Sequence, residues 1–513
     1  MFAKILMILI FVAMTVAIGI YCRCRATSVN SFVLGGRSVG PWLTAFAYGT
    51  SYFSAVIFVG YSGQFGWKYG IASTFIGVGN ALIGSLLAWV ILGRRTRVMT
   101  HHLDASTMPE FFEKRFDSKP LKIAAAIITF VFLIPYTASV YNGLSRLFGM
   151  AFDIDYTWCV LAMAALTAVY VILGGYTATA INDFLQGIIM LVGICAVIGA
   201  VLSGKGGFME AMTSLSQIPS EATGTAANMQ GAYSSFFGPD PLGLLGVVIL
   251  TSLGTWGLPQ MVQKFYSIKH ENDIKKGAII STLFAFIVAG GSYFLGGFGR
   301  LFGDVVEYNN GAPVYDSIIP SMLETLPDIL IGIVIILVLS ASMSTLSSLV
   351  LTSSSTLTLD LLRGSIIKNM SEKKQLLSIR ILVAVFIVIS AVIAIMQYHS
   401  ANAFIAQLMG ISWGALAGAF LAPFLYGLYM KRVTKAAVWV CFATGVGLTV
   451  SNMLIGFIDS PINAGAIAMA LGLIIVPIIS YLTPKPKNDV DSIFSCYEQK
   501  VLVRSKTSID DDE

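Results

Sequence analysis

Gly254-Thr255-Trp256-Gly257-Leu258-Pro259 interrupts an apolar run over residues 241–263. Pro259 has no backbone donor and its ring clashes with the preceding turn, so an ideal helix cannot continue through it. A second interruption lies far upstream. There Gly49-Thr50-Ser51 and Ser54 sit inside the apolar run 42–66, followed by Gly60 and Gly63. At membrane depth, backbone groups freed by such breaks are tolerated only where protein buries them or a cavity exposes them. Glycine and proline are also commoner in membrane helices, which leaves a bland reading open for either break alone. Their weight as a pair depends on how many helices separate them.

The chain has 513 residues, of which 56% are hydrophobic and only 12% charged. Mean hydropathy is +0.80. The charged share is about half that of a soluble domain. This excludes a soluble enzyme with a single anchor. A hydrocarbon core needs about 20 apolar residues per helix. Thirteen segments meet that need, near 4–22, 42–66, 71–93, 121–149, 156–173, 181–203, 241–263, 277–301, 328–358, 381–398, 402–430, 436–456 and 464–482. The two broken segments are five helices apart, and five is odd, so they cross the membrane in opposite directions. Broken helices at matching places of two five-helix halves point to an inverted-repeat transporter.

Charge placement tests the count. Arg23 and Arg25 follow the first segment, and no small-residue cleavage site precedes its end. It reads as a retained helix with the N-terminus outside. With thirteen crossings, 27 of the 32 Lys and Arg then fall on the cytoplasmic side, Lys264 among them, and the C-terminus is cytoplasmic. Lys4, Lys68, Arg146, Lys205 and Arg300 stay outside. The division that follows is an extra helix in 1–30, a first repeat in 31–203, an outer loop in 204–240, a second repeat in 241–432, two extra helices in 433–484 and a polar tail in 485–513. The tail, ending Asp510-Asp511-Asp512-Glu513, is expected to be disordered.

Polar residues inside the segments carry the chemistry. Segment 9 reads Leu339-Ser340-Ala341-Ser342-Met343-Ser344-Thr345-Leu346-Ser347-Ser348. Ser344, Ser347 and Ser348 share one face at i, i+3, i+4. Neutral hydroxyl and carbonyl oxygens suit a hard monovalent cation such as Na⁺ and do not suit zinc or copper. The plain alternative is close helix packing, with each hydroxyl bonded to its own backbone. Asp183 opens segment 6. It either neutralises a cation or carries a proton, or it is an interfacial acid at a helix N-terminus. Candidate pocket groups are Ser54, Tyr136, Asn142, Trp256, Gln260, Gln407 and Trp413, each also readable as packing. A wider set adds Gln64, Trp67, Asn80 and Tyr141. No Lys or Arg falls within a segment near its middle. The six cysteines and four histidines form no CxxC or zinc-like spacing. GxSxG, HExxH and Walker A runs are missing, so a gradient, and not ATP hydrolysis by this chain, would supply the energy.

Several stretches together resemble the sodium:solute symporter family over about residues 30–430. They are Phe32-Val33-Leu34-Gly35-Gly36-Arg37, the run Gly174 to Gly187 with Asn182-Asp183-Phe184-Leu185-Gln186-Gly187, Trp256-Gly257-Leu258-Pro259-Gln260, and Met343-Ser344-Thr345 running on to Asp360. The resemblance implies the all-α, polytopic LeuT-type fold of two inverted five-helix repeats, with sodium as coupling ion and no other cofactor. Its main sodium site, carried over residue by residue, falls on Thr50, Phe53, Ala341, Ser344 and Thr345. A second sodium site of some relatives maps to Asp183, Ser347 and Ser348. Proline-transporting relatives often carry an acid where Tyr52 stands. Sialic-acid relatives use an arginine in the third core helix, which here reads Phe132-Leu133-Ile134-Pro135-Tyr136-Thr137-Ala138. The expectation is a plasma-membrane symporter importing a small organic solute such as an amino acid or monocarboxylate. Its partners are that solute, Na⁺ and the bilayer, with no nucleic acid. The alternatives are a proton-coupled or sodium-independent transporter on the same fold, or a sugar or sialic acid symporter.

Overall fold

Apolar runs of 19 to 48 residues are helical, because within a bilayer a helix satisfies its own backbone groups. The computed structural model describes residues 2–23, 26–152, 154–222, 227–309, 311–367, 369–399, 405–486 and 489–498. Arg25, Lys368, Lys487 and the tail from residue 499, with its four terminal acids, lie outside the described residues, as does the start of the segment expected at 402–430.

The main helices are α1 (Phe2–Cys22), α2 (Pro41–Tyr52), α3 (Lys119–Phe152), α4 (Tyr156–Ser203), α5 (Pro241–Leu253), α6 (Pro259–Tyr266), α7 (Asp273–Gly296), α8 (Asp328–Thr356), α9 (Glu372–His399), α10 (Ile405–Tyr429), α11 (Lys435–Ile455) and α12 (Pro461–Leu482). A helical run from Val56 to His102 lies between α2 and α3. Among the described residues, ten helices are long and apolar enough to cross a membrane. The number is eleven when the bent pair Pro241–Trp256 and Pro259–Tyr266 counts as one span. The sequence pattern predicts thirteen. Two runs account for much of the difference, Val56–His102 with 47 residues and Tyr156–Ser203 with 48. Each would measure about 70 Å if straight, against a core of about 30 Å. Each contains a glycine in the left-handed region, Gly70 at φ 62° and Gly175 at φ 55°. At Gly175 a Cβ would also lie 2.7 Å from the Phe32 carbonyl oxygen.

Helix α8 packs on α4 and α3 at the centre, α7 packs on α2 and the Val56–His102 run, and α10, α11 and α12 pack on one another. Large apolar side chains such as Leu9, Ile10, Trp158, Val192, Ile279 and Leu283 are exposed, as a lipid-facing surface requires. Some helices meet backbone to backbone. A Cβ at Gly66 would run into the Gly296 carbonyl, and one at Gly77 into the backbone of Gly290. Small residues of this kind let membrane helices approach closely.

The tail differs from expectation, and the loop after α7 carries structure of its own. The tail is ordered over Val490–Phe494, a short helix whose Phe494 is buried, with the Arg115 guanidinium over its ring. Burial of an aromatic ring offsets the chain entropy that a polar composition predicts to win. The loop after α7 holds a small hairpin, Tyr308–Asn309 with Ala312–Pro313, and then the helix Ile318–Glu324. Asp316 is buried there and accepts the Ile405 N–H at 3.2 Å.

Gly66→Ala should lower thermal stability sharply, by about 1–3 kcal/mol or more, as overpacking does. Gly447→Ala, where a Cβ meets open space, should be neutral or slightly stabilising. Thermal unfolding of the two detergent-purified variants checks this. A second expectation concerns pH. Burial pushes the Asp316 carboxyl up to about 6, against the opposing Ile405 N–H. An unfolded Asp titrates near 3.9, so the folded chain holds the extra proton between about pH 4 and 6. Stability is therefore lost as pH rises through about 6. Asp316→Asn should remove that step, worth a few degrees of melting temperature, from a profile taken between pH 5 and 7.5.

Candidate functional site

Both breaks are built the same way. Helix α2 stops at Tyr52, and Phe53 is extended at φ −87°, ψ 120° before the chain turns helical again. Helix α5 runs into a tight turn at Gly254–Trp256, and Leu258 is extended at φ −84°, ψ 121° before Pro259 starts α6. Proline at a first helical position loses nothing, since its N–H would be unpaired there. The freed carbonyls of the α2 break face α8. The Thr345 Oγ1 lies 3.5, 3.4 and 3.3 Å from the carbonyl oxygens of Thr50, Ser51 and Phe53, and 3.1 Å from that of Ala341.

A threonine hydroxyl carries one hydrogen. If it goes to Ala341 four residues back, as in most helices, three carbonyls face a hydroxyl oxygen with nothing left to donate. Five oxygens thus converge around a single donor hydrogen. Electron-rich clusters of this kind are stabilised by a cation. The Ser344 Oγ is buried and faces the Asp183 carboxylate. Thr50, Phe53, Ala341, Ser344 and Thr345 are each 1% exposed or less. Of the five residues carried over from the family pattern, four share this cluster directly. Ser344 neighbours the Asp183 carboxylate instead, one residue from it on α8. Ser51 is an addition that sequence reasoning missed.

The second group differs more from expectation. Asp183 is fully buried within the bundle and lies eight residues beyond the Gly175 kink, inside a continuous helical stretch and not at a helix N-terminus. Its partner is Lys264, whose Nζ is 3.9 Å from Asp183 Oδ2 and donates to Ser348 Oγ at 2.9 Å. The sequence places Lys264 in a cytoplasmic loop and no Lys or Arg near the middle of a segment. That placement is corrected here: Lys264 belongs to the bent span and is 3% exposed. The cause is Pro259, which restarts the helix so that α6 continues through Tyr266, beyond the apolar run. Ser347 donates to the Ser344 carbonyl at 2.9 Å, so its hydroxyl serves its own backbone.

Beside the α2 break lies an aromatic group. Trp413 packs against Tyr52 and Tyr136, with ring centroids 5.8 and 5.9 Å apart. The hydroxyls of Tyr52, Tyr136 and Tyr293 and the Trp413 Nε1 are buried beside one another, Tyr52 next to Tyr293 and Tyr136 next to Trp413 and Ser54, while the Tyr61 hydroxyl and both amide atoms of Gln260 are buried without hydrogen-bond partners among the described residues. Native interiors rarely leave such groups unpaired, so the Tyr61 hydroxyl and the Gln260 amide keep hydrogen-bonding capacity for a further polar group. Ser54 sits on the same break, and its Oγ accepts the Val56 N–H at 3.2 Å. Trp256 Nε1 is spent on the Ile83 carbonyl at 3.0 Å. Asn142 is taken by the Tyr156 hydroxyl, and that tyrosine stacks on Tyr398, which draws Asn142 into a helix contact. Gln407 is half-buried with no recorded contact to the group. A cavity of about 320 Å³ lies elsewhere among Arg146, Tyr156, Glu307 and Tyr398, and none of the predicted pocket residues lines it.

Both ends of the bundle are tied. On the basic side, Val39 and Ser267–Lys269 exchange backbone bonds, and Arg97 caps the Ile268 carbonyl at 2.9 Å. On the other side, Arg300 lies over the rings of Trp67 and Tyr233 and pairs with Glu221 at 2.9 Å. The Arg300 hydrogen bond holds the Glu221 carboxyl below its usual range.

Residues 32–445 match the sodium:solute symporter family. The osmoregulated proline transporter OpuE of Bacillus subtilis is 28% identical over 508 residues, covering 97% of this chain and 98% of its own length. Sodium/proline symporter 2 of Staphylococcus saprophyticus is 31% identical over 448 residues, 86% of this chain and 84% of its own. The solved structure of a Na⁺-coupled sialic acid symporter, in a substrate-bound outward-open state, matches with a TM-score of 0.77 over 95% of this chain and 99% of its own, at 16% identity. At that identity the likeness speaks for the fold alone, which is of the LeuT type. Family match, fold and the many apolar helices agree on a multi-pass membrane transporter and not an enzyme: the chain belongs to the sodium:solute symporter family.

Proposed function

We propose that this chain imports a small zwitterionic amino or imino acid together with Na⁺ across the plasma membrane, by alternating access between repeats 31–203 and 241–432. The N-terminus lies outside and the C-terminus in the cytoplasm, by the charge bias. The observation that carries the sodium reading is the crowd of acceptor oxygens around Thr345 Oγ1. The substrate reading is supported by the tyrosine, indole and amide groups beside it, which offer donors and ring faces without an arginine among the named pocket residues. It is also supported by the two proline-transporting relatives, each aligned over more than four fifths of both chains. Those relatives make proline the first probe, and Tyr52, at a position where such relatives often carry an acid, makes other small zwitterions the next.

Na⁺ would bridge the carbonyls of the α2 break to the α8 hydroxyls. It would favour the state open to the outside and order the neighbouring pocket, where a substrate carboxylate can face the ion. Closure and inward opening follow from differential affinity for the two states. One charge crossing 100 mV supplies about 2.3 kcal/mol, before the sodium concentration term.

The test is thermal unfolding of the purified protein in NaCl and in KCl at equal ionic strength, with proline, other amino acids, short carboxylates, sugars and sialic acid. A ligand that binds the native state alone raises its apparent stability. Sodium should stabilise, and a zwitterion should add more only in sodium. Thr345→Ala should raise the sodium needed for half-stabilisation about tenfold or more, the loss of one good ligand, while Thr345→Ser stays near the parent. Equal curves in both salts, or unchanged sodium dependence in both Thr345→Ala and Ser344→Ala, would sink the sodium site.

A further inference from the structure

Asp183 and Lys264 form a buried pair of opposite charges in the heart of the bundle, and their surroundings are specific. The Lys264 ammonium donates to Ser348 Oγ at 2.9 Å and lies 3.9 Å from Asp183 Oδ2 and 5.1 Å from the centre of the Tyr176 ring. Ser348, having accepted from the ammonium, has its own hydrogen for Ser51 Oγ at 2.7 Å. The Ser51 carbonyl in turn faces Thr345 Oγ1 at 3.4 Å. A continuous chain of contacts therefore runs from Lys264 to the main cation cluster. One residue before Lys264, Gln263 accepts from Thr352 Oγ1 at 2.7 Å. The short helix α6 is thus fastened to α8 at two successive residues.

A carboxylate buried this deeply needs a compensating cation. Among the described residues, Lys264 is the ion-pair partner recorded for Asp183. The ammonium occupies the space that Asp183 and Ser348 would otherwise offer to a free ion. A further sodium placed there would sit about 4 Å from the ammonium. With an effective dielectric of about 20, that repulsion would weaken its binding about a thousandfold.

We propose that Lys264 is a tethered cation: its ammonium holds the second ion position between Asp183 and Ser348, so that the protein binds and moves one sodium per cycle where the open position would take two. This rests on the sodium reading of the Thr345 cluster. The tether differs from an ion in one respect. It is covalently fixed to α6 and cannot leave, so it serves every cycle without drawing on the sodium gradient.

The experiment counts bound ²²Na⁺ on the full-length purified protein at saturating sodium, alongside thermal unfolding in NaCl and KCl. The parent should bind one sodium, lost in Thr345→Ala. Lys264→Ala should bind two and gain more stability from sodium than the parent does, because the vacated carboxylate then recruits the ion. Lys264→Arg should bind one. The double variant Lys264→Met with Asp183→Asn, which buries no lone charge, should also bind one, and it keeps the test usable if Lys264→Ala does not fold. Two sodium ions on the parent, two on the double variant, or one on a folded Lys264→Ala would overturn the tether. A count of zero on the parent, with equal unfolding in both salts, would overturn the sodium reading itself and is distinct from these outcomes.

Discussion

The molecule depends on what happens to the carbonyl groups released where α2 stops at Phe53. In a bilayer such groups cannot turn to water, and each one left alone is costly. Here they turn to α8, whose Thr345 stands 3.3 to 3.5 Å from three of them. The density of hydroxyls on α8, the close packing of α8 on α4, and the burial of both breaks at the centre are consequences of that need. A helix that merely packed well would have no use for so many buried oxygens. The same arrangement that keeps a discontinuous helix tolerable also gathers several acceptor oxygens around one donor hydrogen, which is what the proposed cation would use.

Charge is managed by a different device a short distance away. Asp183 could have been matched by a mobile ion, and the structure matches it with a side chain from the second broken helix. Because Lys264 sits on α6 and Asp183 on α4, the pair also joins the two halves of the chain. Breaking such a pair by removing one member leaves a buried charge uncompensated, which is generally far more damaging than removing both.

Much of this was legible in the sequence. The apolar runs, the two interruptions and the hydroxyl-rich segment were visible because length, Gly and Pro placement and helical spacing are local properties. The parts that were not legible depend on distant contacts. Lys264 lies just past the apolar run 241–263, so a hydropathy reading assigns it to a loop; only the helix restarted by Pro259 carries it inward. Tyr52, Tyr61 and Tyr293 look like ordinary aromatics in apolar segments, and nothing local reveals that their hydroxyls converge. Asn142 looked like a pocket group but is held by Tyr156, a partner 14 residues on across a turn between helices. Ser347 followed the right spacing, yet its hydroxyl bonds to its own backbone. The ordered Val490–Phe494 helix was hidden by the polar composition around it.

The glycine contacts have a mechanical consequence. Packed helices slide past one another when interlocking side chains can hop between neighbouring arrangements. Where Gly66 meets Gly296 and Gly77 meets Gly290 there is no side-chain layer between the backbones. The Val56–His102 run and α7 therefore meet backbone to backbone at these two places, with no side chains to re-seat along that seam. Bending during a transport cycle would fall most easily where the helical hydrogen bonding is already interrupted, as at Phe53, Leu258 and Gly175. On the proposed reading, the break at Phe53 that gathers the acceptor oxygens would then also serve as a hinge.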